Sequence, residues 1–166
     1  MYRLAPLLCL LALVLTSACA PRLIPGTLIE DTEEARQLLD LMGAYTSALE
    51  SRNTDKLLAL TSADFFETSG TPEGDDDFDR HGLELKLREW FSHFKSVRAR
   101  VEVQKMTFES TPDGKIAKAS VVYFYDISFQ APEGNGSDKL VWRTESDTKA
   151  MLFRLEDGLW KILSGI

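Results

Sequence analysis

The chain is poor in cysteine and histidine, and this excludes several kinds of site. Its 166 residues include only two cysteines, Cys9 and Cys19, both in the first nineteen positions. The folded remainder therefore has no disulfide and no Cys–His pair. The two histidines, His81 and His93, do not have the i, i+4 spacing that a helical metal site uses. We interpret them as ordinary histidines and expect no metal and no cofactor.

Positive charge is also scarce. The chain has 19 Lys and Arg against 26 Asp and Glu, a net charge of -7. The first eighteen residues contain one cation, Arg3, and no acid, so the net charge from Cys19 onward is -8. A domain of this charge repels polyanions. Nucleic acid and anionic lipid head groups are therefore not expected as partners.

Long apolar runs are absent except near the start. Residues 4–15 are mostly apolar, but they are too few to span a bilayer. Arg3 precedes the run and small residues follow it, which is typical of a secretory signal. The ending "LTSAC" resembles a bacterial lipobox, in which the cysteine is acylated after cleavage in front of it.

The lipobox resemblance implies three segments. Residues 1–18 are then a signal peptide, 19–30 a lipidated N-terminus and tether that begins at Cys19, and 31–166 the folded domain. Ala20 after the cysteine favours an outer-membrane lipoprotein that faces the periplasm or the cell surface. An ordinary signal peptide cut at the same place is the alternative.

Helical periodicity dominates the first half of the domain. Residues 31–52 have one apolar stripe, and Asp31 with Glu34 predicts a capping box. A second short helix is expected at 55–62 with Asn53 or Thr54 as its cap. A short strand at 63–70 and a third helix at 83–97 follow.

A period of two dominates the second half. Val101 and Val103 alternate with polar residues, and a change of phase near 104–105 predicts a β-bulge. Residues 118–130 predict a long strand with Tyr123 and Tyr125 on its apolar side, and two further strands follow. The sequence thus predicts an α+β domain with three N-terminal helices packed on a curved antiparallel sheet.

The stretch "GTPEGDDDFDRHG" (70–82) is the strongest candidate for a cation site. An EF-hand loop needs a glycine at its sixth position and a glutamate at its twelfth. Counting from Asp77 places Arg88 at the twelfth position, and counting from Asp75 places Lys86 there. We therefore interpret the run as a solvated acidic lead-in to the third helix, with Asp79 or a preceding aspartate as its cap.

Three segments resemble one superfamily. They are "LLDLMGAYTSALESRNTDKLLALTSADF", the helix that ends "WFSHF" and the closing "RLEDGLWKILSG". Together they resemble the superfamily of nuclear transport factor 2 (NTF2), ketosteroid isomerase and the SnoaL-like cyclases. The resemblance implies a cone-shaped fold with a pocket between helices and sheet, but no particular reaction.

The isomerases of this superfamily suggest candidate catalytic residues. Tyr45 matches the family's tyrosine in the first helix, and Glu67 stands beside Thr68, near the place of the general base. Ala150 stands where the family's second acid belongs. We interpret Tyr45 as a packing residue. Asp126 is an acid–base candidate only if it faces the pocket, and the solvent-facing interpretation is favoured.

Three functions remain open. The first is a membrane-anchored, non-catalytic domain that binds a small apolar ligand or a protein. The second is an isomerase, dehydratase or cyclase with Tyr45, Asp126 and Glu67. The third is a structural or inhibitory interaction subunit, for which a homodimer through the sheet is one form. The pocket residues we predict are Tyr45, Trp90, Phe94, Tyr123 and Tyr125.

Overall fold

The computed structural model describes residues 21–68, 76–134 and 137–166. In chain order its elements are α1 (Glu33–Glu50), α2 (Thr54–Leu60), β1 (Phe66–Glu67), β2 (Phe78–Asp79), α3 (Arg80–His93), β3 (Ser96–Ser110), β4 (Ile116–Gly134), β5 (Ser137–Glu156) and β6 (Leu159–Ser164). The predicted α+β class, with three helices followed by a meander of long strands, is confirmed. None of the described helices is long and apolar enough to span a membrane.

The helix caps differ from the prediction at α1. Thr32, not Asp31, is the N-cap, and its side chain accepts a hydrogen bond from the Ala35 N–H at 3.1 Å. Asp31 is instead held by Arg36, whose Nε lies 2.5 Å from Oδ1. A carboxylate that is already paired with arginine is not free to cap the helix. The predicted caps Asn53 and Asp79 are confirmed for α2 and α3.

The long strands form one antiparallel sheet in the order β3-β4-β5-β6. The predicted bulge is present as a register shift between Val103 and Lys105. A second, two-stranded sheet joins β1 to β2, which lies inside the stretch that we interpreted as a solvated acidic lead-in to the third helix. β2 has only two residues, which are too few to show the alternation of a strand in the sequence. Its pairing with β1 defines it as a strand.

The core lies between α1 and the sheet. Leu38 of α1, Val121 of β4, Met151 and Phe153 of β5 and Ile162 of β6 are fully buried. They belong to one continuous cluster, which also receives apolar residues from α2 and α3. A smaller cluster of Val97, Phe129 and Ala131 lies at the other end of the sheet, packed by Trp90 and Phe94.

Because β6 is short, part of β5 has no described partner strand on one of its sides. β6 pairs only with Leu152–Glu156 of β5. Over Ser137–Met151, β5 pairs with β4 on one side and with no described strand on the other. This half of the sheet is therefore three strands wide, and its inner face is only partly covered.

A polar cluster ties the segment after α2 to the sheet. The Ser62 hydroxyl donates to Glu156 Oε1 at 2.6 Å, and Arg154 Nη2 contacts Asp64 Oδ2 at 2.7 Å. Ser62 N–H also donates to the Ile162 carbonyl at 2.9 Å. The hydrogen bond from Ser62, followed by the charge of Arg154, holds the pKa of Glu156 below its usual value.

The predicted tether is partly folded. Arg22 to Asp31 form a small hairpin, in which Ile24 N–H donates to the Ile29 carbonyl at 2.9 Å and Asp31 N–H to the Arg22 carbonyl at 2.7 Å. Ile29 is buried against the domain. Backbone pairing is thus present within the segment that we assigned to the tether.

We expect the two faces of β5 to differ sharply in their tolerance of truncation. Phe153→Ala should lower the free energy of unfolding by about 3–5 kcal/mol, because it opens a cavity in the buried core. The adjacent Leu152→Ala, on the exposed face, should change it by less than about 1 kcal/mol. Urea denaturation of residues 20–166 measures both, and equal losses would contradict this packing.

Candidate functional site

A cavity of about 310 Å³ opens between α1, α3 and the three-stranded half of the sheet. Its lining is mainly apolar and aromatic, with a few charged residues: Tyr45, Leu49, Phe78, Leu83, Lys86, Leu87, Trp90, Val101, Tyr123, Tyr125, Ile127, Glu145, Lys149 and Ile166. The cavity thus lies where the sheet is narrowest and the helices cover it least.

Alternation along β4 supplies the inner wall. Tyr123, Tyr125 and Ile127 lie on the same side as the buried Val121, because successive strand residues point to opposite faces. Val101 lies opposite Tyr125 on β3. The residues between them point to the outer face, so one strand serves both the cavity and the outer surface.

Hydrogen-bonded hydroxyls form the polar part of the wall. The Tyr45 hydroxyl lies beside that of Tyr123, and the Tyr123 hydroxyl donates to the Gly165 carbonyl at 3.0 Å. The Gly165 N–H donates in turn to Glu67 Oε2 at 2.5 Å. Gly165 has a φ of +95°, and an added Cβ would lie 2.3 Å from the Ala150 carbonyl oxygen, so only glycine fits there.

Both buried tyrosines stay neutral at physiological pH. Burial, followed by the proximity of Tyr123, raises the pKa of Tyr45 well above its usual value. Burial, followed by the neighbouring Tyr125, raises the pKa of Tyr123 to about 12. The pair can therefore exchange hydrogen bonds with a ligand but cannot act as a base near pH 7.

The mouth of the cavity is charged. Lys86 Nζ lies 4.8 Å from the centre of the Phe78 ring, and Lys149 Nζ lies 5.5 Å from that of Tyr125. Glu145, on the same strand as Lys149, also lines the cavity. Burial and then the charges of Asp147 and Glu145 raise the pKa of Tyr125.

Four of the five predicted pocket residues line the cavity: Tyr45, Trp90, Tyr123 and Tyr125. Phe94 does not. Its ring centre lies 4.3 Å from that of Phe129 and 4.6 Å from that of Trp90, in the smaller cluster at the end of the sheet. The chain leaves α3 at Phe94, which is its C-cap, so the residue no longer follows the helix stripe.

The three candidate catalytic residues do not converge. Asp126 is opposite Arg100 and Ser146 in register and lies on the outer face, away from the cavity. Glu67 contacts the Gly165 backbone and does not line the cavity. Tyr45 is in the wall and the charge of Glu67 acts on the neighbouring Tyr123, whereas Asp126 lies apart from both.

Sequence reasoning missed the charged residues Lys86, Glu145 and Lys149. Lys149 is opposite Tyr123 and Glu145 is opposite Ile127, so these two charged residues share the inner face of the sheet, whereas Lys86 reaches the cavity from α3. The alternation of β5 alone does not reveal this, because both faces of this half-strand carry polar residues. The β4–β5 register was the missing signal.

The described residues contain no group of three or more metal-ligating side chains. His81 and His93 are exposed and do not line the cavity. Residues 70–75 of the acidic stretch lie outside the described residues, whereas Asp79 caps α3 with its Oδ1 2.9 Å from the Gly82 nitrogen.

Comparison with known proteins identifies the fold. No family model and no curated protein matches the sequence. A solved protein from Streptomyces avermitilis, described as a "putative dehydratase from the NTF2-like family", has a TM-score of 0.59 and 16% identity over 79% of this chain and 92% of its own. The chain has the NTF2-like fold.

Other solved structures agree with this fold. A "putative scytalone dehydratase" from Novosphingobium aromaticivorans has a TM-score of 0.62 and 14% identity, with 80% of each chain covered. A conserved protein from Planctomyces limnophilus has a TM-score of 0.63 and 12% identity over 80% of this chain and 92% of its own. At such identities the likeness establishes the NTF2-like architecture and leaves the activity open.

We expect a delayed alkaline titration of the cavity tyrosines. Tyr45, Tyr123 and Tyr125 are the only tyrosines after residue 18, and all three have raised pKa values. Tyrosinate absorbance of folded residues 20–166 should therefore appear only above pH 10, but near pH 10 in denaturant. Because the folded pKa values exceed the unfolded ones, stability should be lost as the pH rises through about 10 to 12. A tyrosine that ionises below pH 10 in the folded protein would contradict the buried pair.

Proposed function

We propose that the chain is an exported, lipid-anchored binding domain that takes up a small, largely aromatic molecule in this cavity. The observation that carries the proposal is the lining, in which an apolar aromatic wall surrounds two neutral tyrosine hydroxyls, one of them held by the Gly165 carbonyl. Ligand sites of this kind combine apolar walls with a few placed polar groups. The anchor rests on Cys19 and the leader in front of it.

The size and chemistry of the cavity define the class of ligand. A volume of about 310 Å³ lies at the small end of ligand sites and fits one or two fused rings. Trp90 and Tyr125 offer ring faces and edges for stacking. A hydroxyl or carbonyl on the ligand would reach the Tyr45–Tyr123 pair, while a charged or polar end would lie at the mouth.

The same residues favour binding over proton transfer. A general base must lie within hydrogen-bond reach of the proton that it removes. Asp126 is on the other face of the sheet, and the buried tyrosines hold their protons at neutral pH. The carboxylate in the described lining is Glu145, at the exposed mouth.

A dehydratase-like enzyme is the second candidate. Glu145 lines the cavity beside Lys149 and could serve as a base for a substrate held at the mouth. Two of the similar structures carry dehydratase descriptions. Under this candidate a bound molecule would be converted, whereas under the first it would leave unchanged.

An interaction subunit is the third candidate, through the outer face of the sheet. Trp142 and Leu152 are exposed there, and Arg98 stacks on the Trp142 ring at 4.5 Å. A homodimer through this face would bury them. The mass of such a dimer would be measured in the same native mass spectrometry experiment that looks for a ligand.

Native mass spectrometry of residues 20–166 tests the binding proposal. We expect a bound small molecule that is displaced by 8-anilinonaphthalene-1-sulfonate, an aromatic probe whose fluorescence rises in apolar sites. Ile127→Trp should abolish probe binding, because the larger ring fills the cavity. Phe124→Trp, on the same strand but on the outer face, is the matched control and should bind the probe as the parent does.

Three outcomes separate the candidates. Equal probe binding by both variants would place the probe elsewhere and overturn the cavity proposal. The recovered ligand would also be incubated with fresh protein. If the ligand loses one water molecule with the parent protein but not with Glu145→Gln, the result would favour the dehydratase. A dimer with no ligand and no probe binding would favour the interaction subunit.

A further inference from the structure

The N-terminal hairpin, Arg22–Asp31, is fixed to the domain rather than free of it. Two backbone hydrogen bonds close it, and the Thr27 hydroxyl donates to the Ile24 carbonyl at 2.9 Å within its turn. At its base, Asp31 contacts both Arg22 at 3.3 Å and Arg36 of α1 at 2.5 Å. The hairpin therefore projects from the start of α1 at a defined place on the domain.

Two leucines of the hairpin have no apolar cover. Leu28 is 88% exposed and Leu23 is 42% exposed, whereas their neighbour Ile29 is buried. Leu28 also lines a groove whose other apolar residues are Ile29, Met106, Phe108 and Ile116. An exposed apolar surface of this kind indicates a contact with a partner or a membrane.

The length of chain before the hairpin decides between these partners. If Cys19 carries the lipid, as the proposed function requires, only Ala20 and Pro21 separate it from Arg22. Three peptide steps reach about 11 Å at most. The head-group layer of a bilayer is itself about 5–8 Å deep on each side. The hairpin must then lie at, or just above, the surface that holds the lipid.

We infer that the hairpin is a second membrane contact, in which Leu23 and Leu28 enter the lipid interface beside the acylated Cys19. The contact is apolar, because the arginines at the base of the hairpin are paired with Asp31 and the neighbouring Glu30, Glu33 and Glu34 would repel anionic lipid. It suits a zwitterionic surface.

This contact also orients the cavity. Tyr45 lies twelve residues after the start of α1, which is about 18 Å along the helix at 1.5 Å per residue. The hairpin precedes the first turn of the same helix. The domain would therefore stand with its N-terminal end on the bilayer and its tyrosine-lined cavity towards the aqueous side.

Depth measurement on the acylated protein tests the inference. In the mature lipoprotein Cys9 is removed and the Cys19 sulfur is used in the lipid linkage, so Leu28→Cys introduces the only free thiol. We would label it with a nitrobenzoxadiazole dye and reconstitute the protein in phosphatidylcholine vesicles that contain nitroxide-labelled lipid. The matched control is Leu85→Cys, an exposed leucine on α3.

The expected result is at least twofold stronger quenching by nitroxide at position 28 than at position 85. Equal quenching at the two positions, in protein that carries acyl chains and floats with the vesicles, would overturn the membrane contact but leave the anchor intact. Protein without acyl chains by mass spectrometry would overturn the anchor and the contact together. Neither result would affect the cavity, which is tested on residues 20–166.

Discussion

The apolar inner face of β4 is the constraint on which this structure depends. A strand with Val121, Tyr123 and Phe129 on one side must be covered, because leaving such surface in water costs about 25 cal/mol per Å². α1 packs on the half of the sheet that β6 completes. Over the other half α1 and α3 do not fill the space above the sheet, and the gap between them is the cavity. The site thus lies over the part of the sheet that β6 does not reach.

The polar groups of the cavity follow from the same constraint. Tyr45 and Tyr123 lie at the boundary between the packed core and the cavity. A buried hydroxyl without a hydrogen-bond partner costs free energy, so such groups are normally bonded. The Tyr123 hydroxyl donates to the backbone carbonyl of Gly165, whose own N–H donates to Glu67. Packing thereby fixes the hydroxyls in place before any ligand arrives, and this pre-organisation favours binding.

Sequence reasoning succeeded where one element defines the signal. The stripe of α1, the cap Asp79 and the bulge before Lys105 all depend on neighbours in the chain, and all three are confirmed. It failed where pairing across the fold decides. Lys149 and Glu145 reach the mouth through the β4–β5 register, whereas the cap Thr32 was missed for a local reason, the pair between Asp31 and Arg36. The face of Asp126 could be settled only when β3 and β5 were aligned beside it.

Charged residues of β5 lie along the half of the strand that pairs only with β4 among the described strands, and they have two consequences. An open strand edge can pair with another chain, and charged side chains on the inner face oppose this. Every second residue of this half-strand is charged and faces inward, opposite an apolar or aromatic residue of β4: Arg143, Glu145, Asp147 and Lys149. The same residues place Lys149 and Glu145 at the mouth, so protection of the edge and selection of ligands share one strand. In a domain of net charge -8, Lys86 and Lys149 offer local attraction to a polar or anionic end of a ligand. A ligand held in this way would enter from the aqueous side, with its apolar part towards the tyrosines and its charge at the rim.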